Sequence, residues 1–549
     1  MNLNSLFFET GTGKGRIQPW LLFLFLLAVL VKSVLLRTYL YIDGDRSLQL
    51  VAAAEWAKGF GYTVPQVELG NINLVRHKVL LEWPPLYSGL LVPLLKLTGF
   101  NFSRSSCILD STGAFFYLLA IWRLMQLLGF SPFAQMIAVW FKATEIYEGF
   151  FNSFPTDFLA AACWLWAFYF FLKYLDEPQN KWLVTLLLCI GASFLFRYVY
   201  LTALPVLPLL LWWSGFRKNR ADWMKAGVIL ALGLAIIVMA YLGFNKVQTG
   251  TFTYLEQWDK GFYPGKLVNT IPLFWQAISH VTFICVQFEL LFHTQYRFFY
   301  GILQFSSAAF LTYMLIRWLQ RAWLAKFVLG NDRMARFVLS AVMVCSVIIA
   351  TLAALSIRID FPVDITGGTW SYMVEDRYFL IPLTIILFVI MGQLFLVYWK
   401  HLRLQGFLRK VLILACLFQV VHIGWILEKR IPLIKMEDPA NPRDALEKRG
   451  SLQAMFNEGK GRGDDVVLFS KEYGYIYYAL ANNVKVFRQV SAMGDSAIIG
   501  IKTPSTIVVS LKENEFKKYK VFLEKYQFKV RRRFLDEVHL IGFVKPAGS

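Results

Sequence analysis

Three short acidic segments lie at the edges of long apolar runs. Tyr41-Ile42-Asp43-Gly44-Asp45-Arg46 follows the first run, Leu81-Glu82-Trp83-Pro84-Pro85-Leu86-Tyr87 precedes a shorter one, and Pro155-Thr156-Asp157 opens another. A carboxylate is expensive to bury in an apolar medium, so acids at the ends of membrane-spanning runs are candidates for function. Taken singly, each also reads as a solvated acid or, for Asp157 behind Thr156, as a helix cap. Two cationic sites accompany them. Arg197 interrupts the apolar stretch Phe194-Leu195-Phe196-Arg197-Tyr198-Val199-Tyr200-Leu201, and Arg377-Tyr378 follows Glu375-Asp376 ahead of a run containing Pro382. Snorkelling toward the headgroups is the alternative for Arg197. Together, acids and guanidinium groups at one surface offer a base and a planar fork of donors suited to phosphate oxygens.

The elements that must position these groups are membrane helices. Of 549 residues 57% are hydrophobic, 17% aromatic and 17% charged, and the mean hydropathy is +0.49. Soluble domains carry about 25% charged residues, so an ordinary soluble protein is excluded, as is disorder. Apolar runs of about 20 residues recur along most of the chain. The formal net charge of +20 would suggest nucleic acid in a soluble protein, but here it follows the positive-inside rule. Basic clusters at Arg217 to Lys225, Arg317 to Arg336 and Lys400 to Lys410 each separate two apolar runs. Placing them in the cytoplasm puts the N terminus, with Lys14 and Arg16, on the same side and Asp157 outside. The six cysteines lie in apolar stretches without metal-ligand spacing, which indicates neither a disulfide framework nor a zinc site.

Spans are predicted near 20–36, 107–128, 131–150, 154–174, 182–197, 199–214, 225–244, 297–318, 336–356, 378–399 and 409–427, about eleven in all. The first lacks a small-residue cleavage site and reads as retained. Residues 85–99 are too short to span and read as a helix at the outer interface within one long external loop, 37–106. Ile271 to Phe292 is long enough to span, yet His280, Gln287 and Glu289 suit an interfacial helix better. The expected architecture is therefore a polytopic α-helical membrane domain, 1–427, followed by a small extracytoplasmic α/β domain, 428–549. In the latter, strand-like runs at 466–469, 484–487, 506–509 and 538–541 alternate with helix-like ones such as 513–526. The aromatic run Glu472 to Tyr478 reads as a packed helix face or as a surface for sugar stacking.

In this order the motifs resemble those of the GT-C membrane glycosyltransferases: a double acid after the first span, a Glu before a Pro-containing helix, Thr-Asp opening a later span, a cation at the next outer end, and Arg-Tyr-x-x-x-Pro. Within that superfamily the chain is similar to bacterial relatives of protein O-mannosyltransferases and lipid A aminoarabinose transferases. The likeness extends to about residue 427 and is strongest from Asp43 to Pro205. Trp83 stands where the aminoarabinose transferases carry a Lys, so their substrate is not implied.

The resemblance implies a transferase that takes a sugar from a polyprenyl-phosphate donor and passes it to a hydroxyl of a lipid, glycan or protein at the outer surface of a bacterial inner membrane. Asp43 would be the base, with Asp45 its rival two residues away, and attack opposite the phosphate would invert the anomeric carbon. Arg197 and Arg377, beside Tyr378, would bind the departing phosphate. Asp45, Glu82 and Asp157 would orient acceptor or sugar, or hold a divalent cation; their oxygens suit Mg²⁺ or Mn²⁺, although nothing in the spacing demands a metal. The alternative is a transporter or flippase of a lipid-linked sugar, which would place polar sites near the midplane and often show internal repeats. The sequence has no such repeat, and a signalling or anchoring protein would leave the acidic first loop unexplained.

Overall fold

The computed structural model describes residues 19–38, 44–68, 71–130, 132–144, 155–257, 261–264, 333–358, 443–470, 484–487, 503–534 and 537–545, with isolated positions between 309 and 479. The chain divides into two compact units. One comprises Met1–Arg37, Leu81–Leu86 and Asp110–Ile431; the other comprises Thr38–Leu80, Tyr87–Leu109 and Pro432–Ser549.

The first unit is helical. Its elements are α1 (Pro19–Thr38), most of α4 (Phe102–Leu127), α5 (Pro132–Thr144), α6 (Pro155–Asp176), α7 (Asn180–Phe196), a 3₁₀ turn (Tyr198–Ala203), α8 (Val206–Arg217), α9 (Ala221–Thr249) and α10 (Arg333–Arg358). Proline opens α1, α5 and α6, a position where its fixed φ and missing N–H do no harm. Gly250, at φ +79°, closes α9 in the left-handed conformation that glycine tolerates.

Among the described residues six helical segments are long and apolar enough to cross a membrane: Pro19–Arg37, Phe102–Leu127, Thr156–Asp176, Tyr198–Arg217, Ala221–Thr249 and Arg336–Leu355. Each coincides with a predicted span. The run at 182–197 appears as α7, only 17 residues long. The one at 131–150 is helical over the 13 residues of α5, and 145–154 lie outside the described residues, as do Ile271 to Phe292, the span at 378–399, nearly all of that at 297–318 and more than half of that at 409–427. In the α6 span 89% of the most apolar window is buried, against 22% in the α9 span. Helix α6 is thus the centre of its bundle, with Trp164 and Phe168 fully enclosed, whereas α9 presents Val228, Ile229, Leu232, Ile236 and Met239 outward, as a lipid-facing helix does.

Helix α6 packs along α7 and α8 along α9. The second pair approaches closely because of two glycines. A Cβ at Gly227 would lie 2.7 Å from Pro208 O and 2.8 Å from Trp212 N, and one at Gly215 would lie 2.7 Å from Met224 N. Small residues at such crossings let membrane helices meet backbone to backbone.

The second unit contains α2 (Gly44–Ala57), the strands β1 (Thr63–Glu68) and β2 (Asn71–Val79), α3 (Leu86–Leu97), α11 (Arg443–Gly461), β3 (Asp465–Phe469), β4 (Lys485–Phe487), β5 (Ser505–Lys512), α12 (Glu513–Lys525), β6 (Lys529–Arg533) and β7 (Glu537–Val544). Strands β1 and β2 form an antiparallel hairpin with Thr63 opposite Val79. Helix α3 is 12 residues long with Pro93 inside it, and buries Tyr87, Ser88, Leu91 and Leu95. Its one-sided stripe is filled by protein, with Ser88 Oγ donating to Gln49 O at 2.8 Å, while Leu90 and Leu97 remain exposed. The segment read as one external loop is accordingly built from two helices and a hairpin.

The remaining strands form one sheet in the order β4-β3-β5-β7-β6. β3 runs parallel to β4 and β5, and β7 antiparallel to β5 and β6. Alternate side chains serve opposite faces. Val466, Leu468, Val508 and Ile541 meet Leu452, Met455 and Phe456 of α11, whereas Val467, Phe469, Val509 and Leu540 meet Leu523 of α12. Strand β1 lies beside β4, which ties residues 38–80 to the C-terminal segment. At the start of β7, Glu537 accepts hydrogen bonds from Ser510 and from Tyr475 Oη at 3.0 Å, and Lys448 of α11 lies 3.3 Å away. His539 bridges Glu537 at 2.9 Å and Ser451 at 3.1 Å. Burial opposes the charge on Glu537, but the His539 and Ser510 hydrogen bonds, with the charges of His539 and Lys448, outweigh it and hold the carboxyl below its ordinary 4.5.

Candidate functional site

Helices α6 and α7 are joined by three residues, so they run antiparallel and the start of one lies beside the end of the other. Asp157 sits in the first turn of α6, where the helix dipole favours a carboxylate. Arg197 follows the last residue of α7. Its backbone is extended (φ −150°, ψ 125°), and it separates α7 from the 3₁₀ turn while its N–H still donates to Ser193 O. One non-helical residue thereby directs a side chain at the end of α7 to the beginning of α6.

Arg197 Nε donates to Asp157 Oδ1 at 2.7 Å; the Asp157 side chain is fully buried and that of Arg197 is 8% exposed. A snorkelling arginine would reach the surface, and this one does not. Attraction between the two charges offsets part of the desolvation that burial imposes, but only while both partners are present. Holding the guanidinium through Nε fixes its plane, the condition for using it as a directional anion ligand. Asp157, one of the three acids considered as cation ligands, has its charge matched by an arginine. Among the described residues no group of three His, Cys, Asp or Glu is arranged to hold a metal ion.

Residues beyond the predicted set meet at Tyr198, the residue that follows Arg197. Tyr198 Oη and Tyr241 Oη share a hydrogen bond of 2.7 Å, and their rings stack with centroids 6.0 Å apart. Asn245 Nδ2 donates to Tyr198 Oη at 3.4 Å and to Phe252 O at 3.0 Å. Tyr198 adjoins the arginine in sequence, so the motif itself pointed to it; Tyr241 and Asn245, four residues apart on α9, carried no such signal.

Of the other predicted residues, two lie among the described ones. Glu82 is half-buried in the bend before α3. Asp45 lies in the first turn of α2, while Asp43, Arg377 and Tyr378 lie outside the described residues. Next to Asp45, Arg46 is completely buried and its Nη1 lies 3.5 Å from Tyr87 Oη. Both residues stand inside the quoted motifs, although only the adjacent acids were read as functional.

The segment from Pro84 to Tyr241 holds Asp157, Arg197, Tyr198 and the helices that position them. It matches the family model described as dolichyl-phosphate-mannose-protein mannosyltransferase, over residues 84–241. The chain is thus similar to a glycosyltransferase family in sequence as well as in motif order, and the resemblance to GT-C membrane glycosyltransferases stands. No curated protein matches the chain. Among solved structures, the crystal structure of ArnT from Cupriavidus metallidurans bound to undecaprenyl phosphate is 12% identical with a TM-score of 0.46, the alignment covering 96% of this chain and 98% of that one. The apo structure of the same protein gives 12% identity and a TM-score of 0.43, with 95% and 98% covered.

Proposed function

We propose that this membrane protein is a glycosyltransferase that moves a sugar from a polyprenyl-phosphate-linked donor to an acceptor hydroxyl on the extracytoplasmic side, with inversion. The observation that carries the reading is the buried Asp157–Arg197 pair inside the segment that matches the mannosyltransferase family. That family's description names a sugar carried on dolichyl phosphate, a polyprenyl phosphate. In the proposed step the acceptor oxygen attacks the anomeric carbon and its proton passes to Asp43. The bond from that carbon to the phosphate oxygen breaks, and the electron pair leaves with the phosphate. An unperturbed Asp has a pKa of about 3.9, so the base helps chiefly as the hydroxyl loses its proton in the transition state. Arg197, held in plane by Asp157, stabilises the charge that gathers on the leaving phosphate, and Arg377 and Tyr378 assist it. Asp45 and Glu82 orient the acceptor, a lipid, glycan or protein.

Incubation of the purified protein with a panel of polyprenyl-phosphate sugars and candidate acceptors tests this. Release of polyprenyl phosphate coupled to acceptor glycosylation is expected, and Asp43→Asn should slow it by about 10² to 10⁴. Movement of intact lipid-linked sugar across proteoliposomes without any release would favour a flippase instead.

A further inference from the structure

At the far end of α6 from Asp157 a second group of charges gathers on a tryptophan. The turn between α8 and α9 contains Lys218, Asn219 in the left-handed conformation (φ 52°), and Arg220. Trp223, in the first turn of α9, is 4% exposed. Around its ring stand Lys218 Nζ at 5.5 Å, the Arg220 guanidinium at 5.1 Å and that of Arg336, from α10, at 5.9 Å. Among the described residues, two carboxylates at this end are shared with arginines. Asp222 takes both Nε and Nη2 of Arg220 at 3.1 and 2.9 Å, and Asp176 bridges Arg333 and Arg336 at 2.7 and 3.3 Å.

Two further observations bear on what this group is for. The Trp223 indole N–H is buried with no hydrogen-bond partner, although a buried indole donor usually finds an acceptor. Just before the turn, Trp212, Trp213 and Phe216 are 40%, 43% and 58% exposed, with Arg217 lying over the Trp213 ring at 5.5 Å. Exposed tryptophans beside basic residues mark the level of lipid headgroups, and burial together with Arg336 and Arg220 pushes the Lys218 ammonium below its ordinary value.

We propose that the α8–α9 turn, with Lys218, Arg220 and Arg336 around Trp223, binds the phosphate-bearing headgroup of an anionic phospholipid. The headgroup phosphate supplies negative charge to the crowded cations and an acceptor for the Trp223 N–H. Its acyl chains lie along the apolar faces that the exposed aromatic residues border. The site is independent of the transferase reading, because it occupies the opposite end of the bundle.

The test uses the delipidated full chain in an uncharged detergent, titrated with short-chain phosphatidylglycerol, with phosphatidylcholine, and with inorganic phosphate, while the unfolding midpoint is followed. Phosphatidylglycerol should raise the midpoint saturably, with phosphatidylcholine and inorganic phosphate giving little. Lys218→Gln and Arg336→Gln should each raise the half-saturating lipid concentration by about fivefold, the effect of one juxtamembrane cation, and Lys218→Arg should retain binding. Trp223→Phe, which keeps a ring but loses the N–H, should weaken it. Should Arg336→Gln fail to fold after losing Asp176, Lys218→Gln and the salt dependence of the wild-type response decide the matter. A response unchanged in Lys218→Gln, unaffected by salt, or equal for phosphatidylcholine would overturn the proposal. An equal saturable shift with inorganic phosphate would overturn the lipid in favour of a soluble anion.

Discussion

At the residue scale Arg197 has two duties that mutation can separate. It balances Asp157 in a place where both side chains are buried, and in the proposed reaction it receives the charge of the leaving phosphate. Deleting one member of a buried ion pair strands the other and costs about 3–5 kcal/mol, so Arg197→Ala should lower both the unfolding midpoint and turnover. Lys restores the charge without the planar fork, giving the order Arg above Lys above Ala. The double variant Asp157→Asn/Arg197→Gln removes both charges and should recover much of the stability while turnover stays depressed by roughly a hundredfold, the loss of one transition-state donor. Wild-type turnover in that double variant would make the pair purely structural. Both residues were legible in the sequence because a charge inside an apolar run is conspicuous. That they touch was not legible, since 40 residues separate them and the contact depends on one extended residue ending α7.

At the scale of elements, two places show how packing governs behaviour. Gly227→Ala should push α9 away from α8, because its Cβ meets backbone atoms of Pro208 and Trp212 that cannot yield; overpacking of this kind costs about 1–3 kcal/mol. Gly243, on the same helix, has nothing within 4 Å of a built Cβ, so Gly243→Ala should instead stabilise by about 0.5–1 kcal/mol. Unfolding midpoints of the two variants should move in opposite directions. In the sheet, the Glu537 carboxyl is held below its ordinary 4.5. A depressed folded pKa means stability that is fully present above 4.5 and lost as the pH falls through the folded value. The protection factors of the β5 and β7 amides of the full chain, with the pH dependence of intrinsic exchange divided out, should therefore fall on acidification below 4.5, and Glu537→Gln should flatten that dependence.

At the scale of the whole molecule, the grouping of residues 38–80 and 87–109 with 432–549 in one compact unit has a topological consequence. A compact unit cannot occupy both faces of a bilayer. Single cysteines replacing Lys58 and Lys520, whose side chains are 46% and 63% exposed, should thus be labelled by a membrane-impermeant thiol reagent from one and the same side of oriented vesicles. Labelling from opposite sides would break the unit, and with it the odd number of spans that the basic clusters require after a cytoplasmic N terminus.

The amino-acid sequence by itself determined that this is a membrane protein and where the described spans lie, because about 20 consecutive apolar residues have no other stable setting than a bilayer or a core. It also marked the short strands of the tail, since the runs at 466–469, 484–487, 506–509 and 538–541 coincide with β3, β4, β5 and β7. Composition and periodicity carry such information locally. Strand β6, Lys529–Arg533, is exposed along its whole length and so has no apolar alternation to announce it; its pairing with β7 creates it. The hairpin at Thr63 to Val79 and the neutralisation of Asp157 by Arg197 likewise came only from tertiary structure. Contacts between residues far apart in the chain depend on which helix end meets which, and that is decided by the packing of backbones at positions such as Gly227 rather than by any local pattern.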